Sequence, residues 1–414
     1  MPQTTVAATA TATREDPPRT QARTRAEQSP GLPLALIALC TAVTAANIYL
    51  AAPLLPLIAH AFGSTPSGVA WVASVAQFGY AAGLLFFAPL GDSLDRRRLV
   101  GVLSLVAAAA LAAGAAATGT TALAAAILVA SAATVVPQLL VPLVAARAPA
   151  DRRARHVAAV ISGLFVGIVA ARVLGGLIGQ AYGWRVVLAG AAVLTAGLGL
   201  VTAYALPRED RPRRRGPVFA GLTALPGLVR RSPDLWRACV RQAGMFGAWS
   251  ALWTSLALLL TGPRYGLSTA TAGLFGLFGL SASAVAPLAG GLVDRLGAGK
   301  VVRSAYLLAA VCVPLFWLGG HALAALFAGA VVLHAGLVAS LVANQTLALT
   351  TTDTPATANT AYMVSSFAGG AIASALAGPA YGHWGWGGVC AVAGVWLLLG
   401  WATTAVGAGR RVRR

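Results

Sequence analysis

Long runs of small and apolar residues fill most of this chain, and charged residues occur only in short groups between them. The clearest group is LGDSLDRRRLVG at positions 90–101, between two runs made almost entirely of Ala, Leu, Val, Gly and Phe. Hydrophobic residues make up 58% of the 414 residues and charged residues 10%. A water-exposed surface needs about a quarter of charged residues. We therefore expect the runs to lie in lipid.

The apolar runs are continuous and do not alternate with polar residues, which predicts helices. A helix of about 20 apolar residues crosses the hydrocarbon core of a bilayer. Twelve such segments can be placed, and they are numbered here as spans 1 to 12: 32–57, 68–90, 99–117, 121–146, 157–181, 186–206, 238–261, 269–293, 301–319, 322–348, 359–380 and 386–407. The predicted fold is an all-α membrane protein with twelve transmembrane helices.

The basic residues lie in alternate gaps between these spans. Of the 30 Lys and Arg residues, all but Arg172, Arg185 and Arg264 lie in the termini, in the loops after spans 2, 4 and 8, in the connection between spans 6 and 7, or in the first four residues of the span that follows such a loop. Loops of this kind face the cytoplasm. We therefore predict a multi-pass plasma-membrane protein with both termini cytoplasmic and its basic residues near anionic headgroups. Topology thus accounts for the net charge of +19, and nucleic-acid binding is not expected.

One motif occurs twice, half a chain length apart. Gly91-x-x-x-Asp95-Arg96 follows span 2, and Gly290-x-x-x-Asp294-Arg295 follows span 8. A repeat at this distance indicates two similar, pseudo-symmetric six-helix bundles. The predicted organisation is a disordered cytoplasmic tail at 1–30, bundles at 31–206 and 238–408, an Arg-rich cytoplasmic linker at 207–237 and a second tail at 409–414.

With six spans on either side and this motif in both halves, the chain resembles the major facilitator superfamily of transporters from end to end. The resemblance implies that the motif is a conformational latch. Asp95 can pair with a neighbouring arginine or with a helix N-terminus from the other half, while Arg97 and Arg98 serve topology. The glycine that usually follows in the family is absent from LDRRRLV, whereas Gly297 supplies it in the second copy.

Span 5 resembles the drug:proton antiporter branch of that family in part. Gly167-x-x-x-Ala171-Arg172-x-x-Gly175-Gly176 stands where the branch has G-x-x-x-G-P-x-x-G-G. We interpret the glycines as helix-packing positions. Arg172 replaces the proline, and we expect it to face a cavity or a pairing partner because an arginine facing lipid costs at least about 2.5 kcal/mol.

The resemblance also implies that spans 1, 4, 7 and 10 line a central cavity. Polar or aromatic side chains on these spans, together with Arg172, are the candidate substrate contacts: Asn47, Gln138, Gln242, Trp249, Trp253 and Gln345. Three of these residues, Gln242, Trp249 and Trp253 of span 7, share one helix face. Packing is the alternative role for the tryptophans, and interhelical hydrogen bonding is the alternative for Asn47 and Gln138.

No carboxylate is expected at mid-membrane, because all eleven acidic residues fall in loops or tails. This disfavours a cationic substrate and fits an anionic or carbonyl-rich one. His334, near the middle of span 10, is the candidate proton site, since histidine titrates near pH 6.5. The alternative is a neutral histidine that is hydrogen-bonded between helices.

The leading hypothesis is a secondary-active, proton-coupled exporter of a small hydrophobic or anionic molecule. An importer or uniporter of a sugar, nucleoside or organic acid is the alternative in the same fold. The chain lacks the clustered catalytic residues of an enzyme and the G-x-x-x-x-G-K-[ST] loop of an ATP-driven pump. Its four cysteines are scattered singly, so no metal or cofactor is predicted. The expected partners are a substrate, protons and lipid, and we expect a monomer.

Overall fold

The computed structural model describes residues 33–92, 94–149, 152–207, 220–350 and 355–405, and every regular element in these ranges is a helix. The predicted tails at 1–30 and 409–414 lie outside the described residues. The α-helices are Leu34–Asn47, Ala51–Ala61, Pro66–Val69, Trp71–Phe86, Arg96–Ala115, Thr120–Ala133, Val136–Arg147, Arg153–Tyr182, Trp184–Ala205, Ala220–Arg231, Pro233–Thr261, Thr269–Leu274, Ser281–Leu296, Ala298–Leu318, Leu323–Thr350 and Pro355–Ala405.

The described part of the chain contains nine helices that are long and apolar enough to cross a membrane, and a bent pair in span 1 would make a tenth. Two further elements account for the remaining two of the twelve predicted spans. Pro355–Ala405 runs for 51 residues but has a non-helical conformation at Gly385 (φ 59°, ψ −151°), which divides it into spans 11 and 12. Span 8 consists of Thr269–Leu274, a 3₁₀ helix at Phe275–Leu280 and Ser281–Leu296.

Spans 1 and 4 are each broken in the middle, close to a proline. Span 1 bends by 42° between Leu34–Asn47 and Ala51–Ala61, and span 4 is interrupted at Thr134–Val135. Proline has no N–H to donate to the carbonyl four residues earlier. Pro53 and Pro137 therefore leave the carbonyls of Tyr49 and Ala133 without their helical bonds. The break in span 1 places Tyr49 outside both of its helices.

The connection between spans 6 and 7 contains a helix that the sequence did not predict, Ala220–Arg231. Its Leu225, Leu228 and Val229 belong to an apolar cluster with residues of spans 7, 10 and 11. Span 7 begins at Pro233, five residues before the predicted boundary, because the side chain of Ser232 caps the helix by accepting a hydrogen bond from the N–H of Leu235. Arg241 lies inside this span, and its guanidinium donates to the carbonyl of Thr403.

Successive spans run in opposite directions, so their loops gather at two ends of the bundle. We call the end with Arg96–Arg98 and Arg295 the basic end, and the other the opposite end. At the opposite end, loops of the same half contact each other. Arg185 donates to the carbonyl of Ala117 (3.0 Å), and the Tyr265 hydroxyl donates to the carbonyl of Gly319 (2.7 Å).

Candidate functional site

Arg172 of span 5 lies in a cage of three aromatic rings, which we call the cation cage. The guanidinium carbon is 5.1 Å from the ring centre of Tyr49, 5.2 Å from that of Trp249 and 4.8 Å from that of Trp253. Only 7% of the Arg172 surface is exposed. Cation–π contacts of this length are worth up to about 2 kcal/mol each when desolvated. The cage therefore holds the buried charge in place.

Span 5 reaches this position because glycines allow its backbone to approach span 1. A β-carbon at Gly163 or Gly167 would overlap the carbonyl oxygens of Ala38 and Ala42. Four residues separate both pairs, so the contacts follow one face of each helix. Close backbone packing of this kind brings Arg172 beside Tyr49.

The other side of span 5 packs on span 8 in the same manner. A β-carbon at Gly176 would lie 2.7 Å from the carbonyl oxygen of Thr269, and one at Gly276 would lie 2.6 Å from the β-carbon of Arg172. Gly175 has more room, because its nearest neighbour is a side-chain atom of Pro53 at 3.5 Å. Of the predicted packing glycines, Gly167 and Gly176 thus meet backbone atoms on two sides of span 5, and Gly175 does not.

His334 of span 10 adjoins the cation cage. Its Nε2 accepts a hydrogen bond from Nε1 of Trp249 (3.3 Å), and its ring centre is 5.1 Å from that of Trp253. Indole N–H is a donor only, so Nε2 must be the unprotonated nitrogen. Nδ1 then carries the proton and donates it to the carbonyl of Ala330 (2.8 Å). In this conformation His334 is a neutral histidine with both nitrogens bonded.

Hydrogen-bond donors outnumber acceptors around the cation cage. Within the described ranges, Arg172 makes one hydrogen bond, to the carbonyl of Ile168 (3.4 Å), although a guanidinium carries five N–H groups. Nε1 of Trp253 is buried with no partner. The acids that the structure describes, Asp92, Asp95, Asp234 and Asp294, lie within one turn of a helix end or in a loop. A group that accepts hydrogen bonds and carries negative charge fits this arrangement.

The other predicted cavity residues lie apart from the cage or bond to neighbouring helices. Asn47 donates to Thr195 of span 6 (3.0 Å), Gln138 to Tyr80 of span 2 (3.2 Å) and Gln345 to Asn359 of span 11 (3.0 Å). Gln242 is fully buried, and both polar atoms of its side chain lack partners among the described residues. The structure thus brings together Arg172, Trp249, Trp253 and His334 out of the predicted set.

Tyr49 belongs to the cage but was not predicted from the sequence. It follows Asn47 by two residues, and a tyrosine inside an apolar run close before Pro53 is the signal that could have found it. Tyr49 lies in a helix break, so the helical period does not determine which way its side chain points. Periodicity alone could therefore not place it.

Polar contacts between the two halves lie on the opposite-end side of the bundle. Ser74 of span 2 donates to Ser374 of span 11 (2.9 Å), and Ser250 of span 7 donates to the side-chain oxygen of Gln77 (2.9 Å). The backbone N–H of Thr269 in span 8 donates to Gln180 of span 5 (3.2 Å).

Glycines line these contacts on the side of the second half. In span 8, the three that face span 5 are Gly273, Gly276 and Gly279, and in span 11, the three that face span 2 are Gly370, Gly378 and Gly382. The second half therefore presents mainly backbone on these faces, while the first half presents side chains except near Gly176, where backbone meets backbone.

The repeated motif occupies the basic end. Asp95 caps span 3, because its carboxylate accepts a hydrogen bond from the N–H of Arg97 (3.0 Å). A β-carbon at Gly91 would lie 2.5 Å from a methyl carbon of Leu139 in span 4. In the second copy Asp294 and Arg295 are exposed, and Gly290 faces open space. The Asp95 carboxylate thus bonds to the N-terminus of its own helix in this conformation.

Replacing Asp95 by Asn is expected to leave folding intact and to slow transport about fivefold. Asn caps a helix as well as Asp does, but it removes a charge worth about 1 kcal/mol at a helix end. Transport and membrane abundance should be measured for Asp95→Asn beside Asp95→Ala, which also loses the cap. Wild-type transport by Asp95→Asn at equal abundance would contradict a role for the charge as a latch.

An all-helical bundle of long apolar helices with a buried polar site between its halves is typical of a multi-pass membrane transporter. Residues 37–374 match the Major Facilitator Superfamily, and the chain belongs to that family. It is 81% identical over 374 residues to "Probable transporter SCO4007" of Streptomyces coelicolor, covering 90% of this chain and 87% of the relative. The identity to "Putative uncharacterized transporter YgaY" of Escherichia coli is 34%, covering 91% of this chain and 96% of the relative.

A more distant relative carries a functional name. The chain is 30% identical over 307 residues to "Chloramphenicol resistance protein" of Streptomyces lividans, covering 71% of this chain and 73% of the relative. Among solved structures, the fold is similar to that of the peptide transporter POT (TM-score 0.74, 16% identity, 93% of this chain and 98% of the other). It is also similar to that of the nucleoside transporter NupG (TM-score 0.72, 15% identity, covering 91% of this chain and 99% of the other). The solved structures show the fold, and the family match together with the named relatives shows the class of protein, a transporter.

Proposed function

We propose that this protein is a secondary-active, proton-coupled exporter of a small hydrophobic or anionic molecule at the plasma membrane. The observation that carries the proposal is the cation cage, in which a buried arginine is surrounded by aromatic rings from both halves and has no carboxylate partner among the described residues. Export is further supported by the resistance-protein name of the Streptomyces lividans relative.

Alternating access is the proposed mechanism, with bundles 31–206 and 238–408 as the moving units and the termini in the cytoplasm. Three hydrogen bonds join the two units: Ser74–Ser374, Ser250–Gln77 and Thr269–Gln180. Opening on their side of the bundle requires all of them to part. Because each exposed pair can bond to water afterwards, the net cost is about 1 kcal/mol per bond, which a substrate can supply through its binding energy.

An importer or uniporter of an organic acid is the second candidate. Arg172 suits an organic acid in either direction of transport, because the charge of the cage does not depend on which side the substrate enters. A sugar is disfavoured, since sugars need many hydrogen bonds and the cage is formed mainly by Tyr49, Trp249 and Trp253.

Transport in inverted and right-side-out membrane vesicles tests these alternatives. A panel of hydrophobic, anionic and cationic compounds should be offered with and without an imposed pH gradient. Accumulation in inverted vesicles that depends on the gradient is the result expected for a proton-coupled exporter. Accumulation only in right-side-out vesicles would replace it by an importer.

The variant His334→Gln is expected to keep substrate exchange and to lose proton coupling. The glutamine oxygen can accept the hydrogen bond of Trp249 Nε1, as His334 Nε2 does now, but a glutamine does not titrate. Proton movement driven by substrate should be recorded with a pH-sensitive dye in proteoliposomes. Retained coupling would remove His334 as the proton site and point to another ion or to uniport.

A further inference from the structure

The cation cage contains two groups whose N–H donors are not all satisfied by described residues: the guanidinium of Arg172, which makes one hydrogen bond, to the carbonyl of Ile168, and the indole N–H of Trp253, which makes none. Both side chains are more than nine-tenths buried, with 7% and 6% of their surfaces exposed. A buried donor without a partner costs about 1–3 kcal/mol, and more if it is charged. The two donors adjoin, because the Arg172 carbon is 4.8 Å from the centre of the Trp253 ring.

We propose that the cation cage binds the carboxylate of an aromatic or other planar organic anion, and that this carboxylate takes Arg172 away from Trp249 and Trp253 during the transport cycle. The inference rests on the proposed transport function and specifies its substrate class. It also gives substrate binding a direct effect on the contact between the halves.

The chemistry of the donors selects a carboxylate. A guanidinium presents paired N–H groups that match two carboxylate oxygens, and such charge-assisted bonds are about twice as strong as neutral ones. The indole N–H of Trp253 supplies a third donor, from the second half of the chain. A neutral ligand would leave the Arg172 charge uncompensated, and a cation would add a second positive charge to a buried site.

The walls of the cage select a planar apolar body. Trp249 stacks on Phe246 with ring centres 5.2 Å apart and lies edge-on to Tyr49 at 5.9 Å. Flat ring faces bind a second ring by offset or edge-to-face contact. Inorganic phosphate and sulfate are fully hydrated ions, and these walls offer few groups to replace their water. Inorganic anions are therefore expected to bind more weakly than aromatic carboxylates.

The positions of the residues along the chain connect binding to movement. Arg172 belongs to the first half, whereas Trp249 and Trp253 belong to the second, so their cation–π contacts join the halves. These contacts lie on the same side as the Ser74–Ser374 hydrogen bond. A carboxylate that pairs with Arg172 removes the charge that attracts the two tryptophans. Substrate binding thus weakens the contact that must part when the bundle opens on that side.

Ligand-dependent thermal unfolding of the purified full-length protein tests the binding step. The probes are benzoate, salicylate and indole-3-acetate, each compared with its neutral amide and with inorganic phosphate. A ligand that binds the folded state raises the unfolding temperature according to its concentration and dissociation constant. We expect stabilisation by at least one carboxylate at millimolar concentration, and none by the amides or by phosphate.

Variants assign this stabilisation to the cage. Arg172→Gln is expected to abolish it, and Trp253→Phe, which keeps the ring and loses the N–H, to weaken binding about tenfold. Trp386→Phe is the matched control, because Trp386 donates its indole N–H to the carbonyl of Phe316 away from the cage. If Arg172→Gln does not fold, the comparison of Trp253→Phe with Trp386→Phe still shows whether the stabilisation depends on the cage.

Two results of the binding experiment would overturn the inference. One is the absence of stabilisation by all three carboxylates, and the other is stabilisation that Trp253→Phe and Arg172→Gln leave unchanged. Counterflow in proteoliposomes separates this inference from the proposed function. Carboxylate binding without any transport would overturn the proposed function alone. Transport of neutral hydrophobic compounds that does not depend on Arg172 would overturn the inference alone.

Discussion

Oxidation of the double variant Ser74→Cys/Ser374→Cys is expected to stop transport, and reduction is expected to restore it. The two hydroxyl oxygens are 2.9 Å apart and join spans 2 and 11 of different halves. Thiols at these positions lie close enough for a disulfide after a small adjustment, since the bond itself is about 2.05 Å long. A covalent link here prevents the halves from parting on the opposite-end side, so alternating access is blocked.

The control is a disulfide within one half. A β-carbon at Gly101 would lie 3.4 Å from the β-carbon of Ala203, and these positions belong to spans 3 and 6. Gly101→Cys/Ala203→Cys is therefore expected to form a disulfide and to leave transport unchanged. The native cysteines Cys40, Cys239, Cys312 and Cys390 are free and buried. Full transport by Ser74→Cys/Ser374→Cys, with the disulfide verified by mass spectrometry, would exclude movement at this contact.

Replacing Gly167 by Ala is expected to destabilise the protein by about 3 kcal/mol. The added methyl group would overlap the backbone of Ala42 in span 1, and backbone atoms in a packed helix pair cannot move aside as the end of a flexible side chain can. Spans 1 and 5 would then separate, and Arg172 would move away from Tyr49. Thermal unfolding in detergent measures the loss.

Gly197→Ala is the matched substitution for this measurement. Gly197 lies in span 6 with nothing within 4 Å of an added β-carbon. Alanine is a better helix former than glycine by about 1 kcal/mol, so this variant is expected to be as stable as the wild type or more so. Equal unfolding temperatures for the two alanine variants would contradict the role of Gly167 in packing.

The membrane fold could be predicted from the sequence because lipid imposes a simple pattern. Hydropathy and repeat spacing were enough to predict the long apolar spans, their number and the repeated motif of Asp95 and Asp294. The family match confirmed the transporter class. The helix at Ala220–Arg231 was missed because it is short, contains Pro226 and ends in two arginines, so it reads as part of a charged linker. The apolar face of this helix can be recognised only in the structure, where it packs against spans 7, 10 and 11.

Part of the candidate site could also be predicted. Arg172 was identified because a charge inside a span is costly without a partner, and Trp249 and Trp253 because they share a helix face. That Arg172 lies against these tryptophans, and that Trp249 bonds to His334, depends on contacts between different helices. One sequence does not encode the distances between helices in any local pattern, so the partners of Asn47, Gln138 and Gln345 could not be predicted either.

The glycines on the second-half side of the contact also bear on how fast the halves can exchange positions. In span 8, Gly273, Gly276 and Gly279 recur every third residue, and the 3₁₀ geometry at Phe275–Leu280 places such residues on one face. A glycine face has no side chains to interlock with those of the partner helix. Span 5 can therefore slide or lift away without passing through strained rotamers, which keeps the activation barrier low. We expect the turnover rate to be set by the release of Arg172 and its hydrogen-bonded neighbours, and not by friction between the helices.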